Sequence, residues 1–524
     1  MLGRLAPTTL AAMLIVGTAA SAGAADLVFG RATEQSSLDP HFSQTGNNNA
    51  TADAMFENLV AFDAHLQLHP SLAVSWKLLD PTDWEIKLRP NVRFQDGTPL
   101  TGADIAYSLE RVRHIPRSPA PWTHAVTAVA GVDVVDPLTL HIRTNGPTPL
   151  LMQQIGLIYI LPAKLGPDVG NDDFNSGRAA IGTGPYRFKS YTPNDRLEFD
   201  ANRDWWGGKP AFDHVTLRFI PNAAARSAAL LSGQVDLIDS VSPSDGAQLV
   251  HARDITVYSS ATNRIIYLAL DATRDPTPFV TGADGKPLTP NPLKDLRVRQ
   301  ALSAMINREA LATRIMSGAA VPAGQIVPEG EGGYAPDLTP TPFDPQRAKT
   351  LLSEVGLASG FGLTIQTSSD RYPNDSQVAQ AVGQMFARGG LRVAVDAQPY
   401  SVFAPAATAR KYSVFLFGWS SGSGDSSEAL RSVLATYDPE NGLGALNRVR
   451  YSNPAFDKTL AQAVAEFDET KRNGLLADAT RIAMHDVALI PLYWQKAIWA
   501  ARPGVRFEAN ESEDSSVTYA HANH

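Results

Sequence analysis

At 524 residues the chain is too long for one hydrophobic core, and 44% hydrophobic residues with a formal charge of −8 describe an ordinary globular protein. That mild acidity, with no basic run, argues against a nucleic-acid partner. The absence of cysteine excludes disulfides, thiol chemistry and a lipid anchor on an N-terminal Cys.

Met1 to Arg4 carries one positive charge, Leu10 to Val16 is a short apolar core, and Ala22-Gly23-Ala24 has the small-x-small cleavage pattern. Residues 1–25 therefore read as a secretory signal peptide, too short to span a membrane. No later run reaches the roughly 18 apolar residues of a span. The expectation is a free, soluble monomer in a Gram-negative periplasm.

Asp26–Arg31 reads as a strand, and Ala50 to Leu59 as a helix after an Asn-rich loop. Pro70–Trp76, Trp84–Arg89 and Val92–Gly97 read as a meander. Thr101 is placed to cap a helix over Asp104–Arg111. Residues 131–143 form a hairpin around Asp136-Pro137. The stretch Gly182–Asp239 carries most information. Gly-Thr-Gly-Pro makes a turn, Tyr186–Tyr191 and Arg196–Asp200 alternate as a hairpin, and Val215–Ile220 is a third strand. Ala223–Leu231 is a helix ending at Gly233, and Val235–Ile238 a strand. Ile255–Tyr258 and Arg264–Leu270 are strands, the second apolar enough for burial on both faces. Leu296–Met316 is helical with a break near Asn307. Strands at Leu363–Gln366, Arg392–Asp396 and Tyr412–Phe417 alternate with helices at Asp344–Val355 and Ser376–Arg388, which predicts an α/β unit. Helices follow at Pro454–Val464 and Thr470–Asp486, then strands at Ala488–Tyr493 and Lys496–Ala500.

Three spaced motifs agree in order: GTGPY; N-x-x-W-W-G-x-x-P-x-x-D; and R-x-x-A-L-x-S-G-Q-V-D. The chain closely resembles the family 5 solute-binding proteins of peptide ABC importers. Further agreements are F-E-N-L at Phe56–Leu59, D-I-A-Y-S-L-E-R from Asp104, and Arg299-Gln-Ala-Leu302. The resemblance implies an α/β, two-lobe periplasmic-binding-protein fold of type II, in the large three-subdomain class, with a hinge between the lobes. It implies a first lobe of 26–270 plus 495–524, with a flanking subdomain at about 57–180. The second lobe is 271–494, and the first crossing lies near Asp271. The implied function is capture of a peptide or peptide-like ligand and delivery to ABC permease transmembrane subunits, with no catalysis and no cofactor. Nickel chelates, opines and oligosaccharides are the alternative ligands.

The resemblance also implies where the ligand touches. Gln44, Thr45, Gly46 and Asn47 lie in the first candidate loop, and Asn263 and Arg264 stand beside the first crossing. Arg371 matches a cleft arginine that holds a C-terminal carboxylate in dipeptide-binding relatives, its alternative being a local pair with Asp370. Trp419, Ser420, Ser421 and Gly422 follow a strand that ends in Gly-Trp. Peptide-binding members carry an Asp at the position of Gly422, which pairs with the ligand's ammonium. Here Asp425 is the nearest carboxylate, so either it takes that role or the ligand is not held by a free amino end. Gly418 to Gly422 also reads G-x-S-x-G, the nucleophile elbow of a secreted serine hydrolase using Ser420, with His485 downstream. Yet Gly422 to Ser427 prolongs the loop where an elbow needs a helix. His65 and His69 are spaced i, i+4, but Pro70 argues against the helix that would align them on a metal.

Overall fold

The computed structural model describes residues 26–422 and 424–523, so the expected signal peptide lies outside the described residues. A twelve-stranded mixed sheet organises the chain. Its strands are β1 (Asp26–Arg31), β2 (Tyr186–Thr192), β3 (Arg196–Ala201), β4 (His214–Phe219), β5 (Leu237–Ile238), β6 (Thr256–Leu270), β7 (Val280–Thr281), β8 (Ala320–Pro322), β9 (Gly362–Ser368), β10 (Arg392–Gln398), β11 (Val414–Trp419) and β12 (Leu489–Ala501). The order along the sheet is β7-β9-β11-β6-β12-β5-β1-β4-β3-β2, with β10 on β9 and β8 on β12. A separate four-stranded sheet joins Ala73–Asp80, Asp83–Leu88, Thr139–Thr144 and Val129–Asp136 in that order.

The long strands β6 and β12 run antiparallel through the whole molecule. Their pairing breaks between Ala261 and Ile265, and the core divides there. On one side Leu27, Phe29, Leu217, Leu237 and Trp499 pack with the four-stranded sheet, through Ile86 and Leu140. On the other side Ile266, Leu268 and Leu270 pack with Leu302, Ile365, Val382 and Leu416. Ile265, Tyr267 and Ala269 face the opposite way, onto Phe403, Phe415, Phe417 and Leu460. The second half of β6 is thus buried on both faces, as its continuous apolar run predicts.

Most predicted elements form within a few residues of their expected bounds. Four expectations change. The strand pairs expected at 255–258 with 264–270, and at 488–493 with 496–500, are each one continuous strand bent by the irregularity. The helix expected at Ala50–Leu59 occupies Gly46–Ala52, because Asn48 directs its side chain to Ser36 and Ser37 rather than to its own backbone. One further helix, Tyr400–Thr408, forms where no element was expected, despite Pro405. Val92–Gly97 makes only an isolated bridge between Arg93 and Pro99.

The family motifs have structural explanations. A β-carbon on Gly182 or Gly184 would lie 1.9 Å from Met55 O or 2.7 Å from Met55 C, so both glycines permit close backbone approach rather than a positive φ. Trp205 and Trp206 donate from their indole nitrogens to Glu57 at 3.0 and 2.8 Å, and Arg89 stacks on Trp206.

Candidate functional site

Strand directions locate the site. β5 is parallel to β1, β12 is antiparallel to β5, and β6 is antiparallel to β12, so β6 runs in the direction of β1. The C-terminal ends of β1 and β5 therefore point at the irregularity from one side. β11 is antiparallel to β6, with Trp419 opposite Ile265, and β9 and β10 run parallel to β11. Their C-terminal ends point at the same place from the other side. Ligands of open α/β sheets bind outside the carboxyl ends of the strands. Here two such sets of ends face each other across residues 261–265.

One wall is cationic and aromatic. Arg371 lies in the loop after β9, where Asp375 Oδ2 accepts from Ser368 Oγ at 2.7 Å, Arg371 N at 3.2 Å and Tyr372 N at 3.3 Å. The exposed Arg371 guanidinium stands 5.3 Å from the Tyr372 ring and 5.6 Å from the Tyr400 ring, within cation–π range. The pair with Asp370 does not form, since Asp370 accepts from Tyr400 N at 2.7 Å. Tyr372 Oη in turn accepts from Gly418 N at 3.0 Å and donates to Gly418 O at 3.2 Å. Arg264 is different: its Nε and Nη2 are taken by Glu513 at 2.8 and 2.7 Å. Burial would lower the Arg264 pKa, but Glu513 outweighs it and holds it above its ordinary value.

The other wall is acidic. Asn263 is 2% exposed and donates from Nδ2 to Ser421 O at 2.7 Å and Glu331 Oε1 at 3.3 Å. Burial, with Asp425, Glu428 and Glu511 nearby, pushes the Glu331 carboxyl up to about 8 against the opposing Asn263 hydrogen bond. Ser421 Oγ donates to Glu428 at 2.6 Å. Asp425 caps the helix Ser426–Ala429, accepting from Ser427 N and Ser427 Oγ at 2.9 Å each. Burial raises its pKa, opposed by those bonds and by Arg431 and Arg472.

The loop after Trp419 also touches the opposite side of the molecule. A β-carbon on Gly424, whose φ is +64°, would lie 2.9 Å from Leu66 Cβ, and one on Gly422 would lie 4.0 Å from Leu157. Gly422 is exposed, so no crowding forbids an aspartate there. Trp419 and Ser420 are half-buried at the end of β11. The next helix starts only at Ser426, and His485 is exposed at the end of Glu469–His485, so the elbow geometry is not built.

The first candidate loop turns much of its polarity inward. Gln44 Nε2 donates to Pro121 O at 3.1 Å, Thr45 Oγ1 to Asn48 Oδ1 at 3.1 Å, and Asn47 Nδ2 to Glu34 O at 2.6 Å. Thr45 and Gly46 are exposed. Asn263, Arg264, Arg371, Trp419 to Gly422 and Asp425 thus gather at the irregularity, whereas Gln44 to Asn47 are held mainly by neighbours of their own. Sequence reasoning misses Glu331, Tyr372, Tyr400 and Glu513. No local pattern marks them, because loops distant in the chain bring them together.

The family described as bacterial extracellular solute-binding proteins, family 5 Middle, matches residues 67–441. The glutathione-binding protein GsiB of Shigella dysenteriae is 27% identical over 490 residues, covering 91% of this chain and 90% of that protein. The periplasmic binding protein DppA of Helicobacter pylori, solved with the peptide STSA, superposes with a TM-score of 0.77 at 22% identity, over 95% of this chain and 98% of that one. NikZ of Campylobacter jejuni, solved with Ni(L-His), gives 0.77 at 20% identity, over 95% and 99%. The two-lobe periplasmic-binding-protein fold is therefore shared, and the chain belongs to the bacterial extracellular solute-binding proteins of family 5.

Proposed function

We propose that this protein is the periplasmic receptor of an ABC importer, which captures a peptide or peptide-like solute between two lobes and hands it to the membrane permease. It acts by binding and closure rather than catalysis, as a monomer released by cleavage of residues 1–25. The first lobe holds 26 to about 261 and the C-terminal segment, with a flanking subdomain at about 57–180. We place its first crossing at Ala261–Ile265 rather than near Asp271, because Ile265 to Leu270 already pack with residues of the later half. The return crossing lies at about Trp494–Lys496 on β12, opposite the same irregularity.

The observation that carries the reading is the opposite charge of two groups of residues at one place in the fold. Arg371 offers a forked donor with no ion-pair partner among the described residues, and a carboxylate suits that fork. Asn263, Glu331 and Glu428 present acceptors on the other wall. A zwitterionic chain with an amino end and a carboxyl end complements both. Arg371, Glu331 and Glu428 all belong to the second lobe and hold the ligand there; the first lobe adds its contacts only in the closed form, so the ligand shifts the population toward that form.

A thermal-shift screen tests this. Di- to hexapeptides and glutathione should include ligands that stabilise the fold, by about 2.7 kcal/mol at a hundredfold excess over Kd. Stabilisation by a nickel–histidine complex or an opine alone, with every peptide silent, would reject the peptide reading.

A further inference from the structure

We propose that Glu331 and Asn263 together receive a primary ammonium group of the bound solute. The inference rests on the peptide reading above and names the residues that would anchor one end of the ligand.

Asn263 is the observation that points to a ligand. Both hydrogens of its amide are used, on Ser421 O and Glu331 Oε1, while its Oδ1 is buried and accepts from nothing. An unfilled buried acceptor is costly, so native structures fill most of them. Glu331 is in a similar position. Ionised beside a cation, its carboxylate can accept about four hydrogen bonds, yet it accepts from Asn263 alone. Among the described residues it makes no ion pair.

The group that completes this arrangement must donate to two acceptors at once, carry positive charge and accept nothing. An ammonium with three donors meets all three requirements. A shared metal ion fits less well: the described residues contain no group of three carboxylates or imidazoles able to hold one. Neighbouring charges favour a cation, because Asp425, Glu428 and Glu511 all face Glu331. His65 pairs with Glu511 at 2.9 Å, Ser421 donates to Glu428, and Arg431 and Arg472 act on Asp425. Asp425 already serves as a helix cap through both oxygens. That makes Glu331 the better-placed carboxylate.

Glu331 is held in place independently of any ligand. Its backbone N–H donates to Pro328 O at 3.3 Å, and Ser426 Oγ donates to Gly332 O. Gly333, at φ +92°, leaves no room for a side chain: a β-carbon would lie 2.6 Å from Leu476 Cβ. The loop therefore presents the carboxylate as a fixed part of the wall.

The test uses the full mature chain and a lysine-free pool of synthetic di- to hexapeptides plus glutathione. Half of the pool carries an isotopically marked N-acetyl group, and retained species are read by mass spectrometry. The wild type should retain free-amine peptides and reject the acetylated ones. Glu331→Gln, with an unchanged melting curve, should lose at least tenfold in retention and lose the selection. Asn263→Ser should lose part of it, and Arg371→Ala should weaken retention while keeping the selection. Selection for free amines that survives in Glu331→Gln would overturn the assignment and leave the peptide reading standing. Equal retention of acetylated peptides by the wild type would overturn it too. Calcium-dependent binding lost in Glu331→Gln would reassign the site to a metal. Retention of no peptide at all would defeat the peptide reading, and this inference with it.

Discussion

Arg264 and Glu513 clamp the crossing strand to the C-terminal segment. Arg264 Nε and Nη2 meet Glu513 Oε2 at 2.8 and 2.7 Å, and both side chains are largely shielded from solvent. Glu513 adopts φ +61°, a conformation unusual for glutamate, so the segment is shaped around this pair. Removing one member leaves the other buried and unpaired. Glu513→Ala should cost about 3–5 kcal/mol in denaturant unfolding. The double variant Arg264→Met, Glu513→Leu should lose less than either single truncation, because no lone charge remains.

Among the described residues Arg371 carries no ion pair, so its replacement should be nearly neutral for folding. Arg371→Ala should weaken a carboxylate-bearing peptide by more than tenfold, or over about 1.4 kcal/mol. Amidating that peptide's C-terminus should cost the wild type a similar amount and the variant little more, since both changes remove one interaction. Calorimetry on the four combinations decides it.

Much of the architecture is legible in the sequence. The hairpin at 186–201 and the helix at 223–231 follow from alternation and capping. The apolar run Ile265–Leu270 announced burial on both faces. Less was legible where tertiary contacts decide. β6 continues through Thr262 and Asn263 because Thr262 Oγ1 bonds Gln495 O at 2.7 Å across the irregularity, a partner 233 positions away. The helix at Tyr400–Thr408 forms against Phe415 and Phe417, whose rings stand 6.4 and 5.6 Å from Phe403, and this overrides Pro405. At the site, Arg371 and Asn263 were reachable by resemblance. Glu331 and Glu513 were not, because they come from loops whose sequences say nothing about what they face.

Glu331 also predicts a pH dependence. Its folded pKa of about 8 lies above the ordinary 4.5, with burial the main cause. Between these values the folded state binds more protons than the unfolded state, so stability falls as pH rises. The slope is at most about 1.4 kcal/mol per pH unit, and less where solvent reaches the carboxyl. Glu331→Gln should remove this component. Urea titrations at pH 5.5 and pH 8 should therefore show the wild type losing stability relative to the variant.

Asp425 separates a cap from a ligand contact. Asn is as good an N-cap as Asp, so Asp425→Asn should leave both stability and peptide affinity nearly unchanged. Asp425→Ala should cost about 1 kcal/mol of stability. A large affinity loss in Asp425→Asn, read by calorimetry, would return the ammonium contact to Asp425.

Gly424 probes closure. A methyl group there meets both the positive φ and Leu66, which lies across the gap. Gly424→Ala should weaken ligand binding while changing ligand-free stability by no more than about 1–2 kcal/mol, the cost of the left-handed conformation. Small-angle scattering with saturating peptide should show incomplete compaction.

The most direct test of the account is to identify what the protein carries when it is purified from a periplasm and gently unfolded. Mass spectrometry of the released solute should find peptide-like molecules bearing both a free primary amine and a carboxylate. A sugar, a metal chelate or any solute without an amine, recovered in stoichiometric amount, would contradict the account.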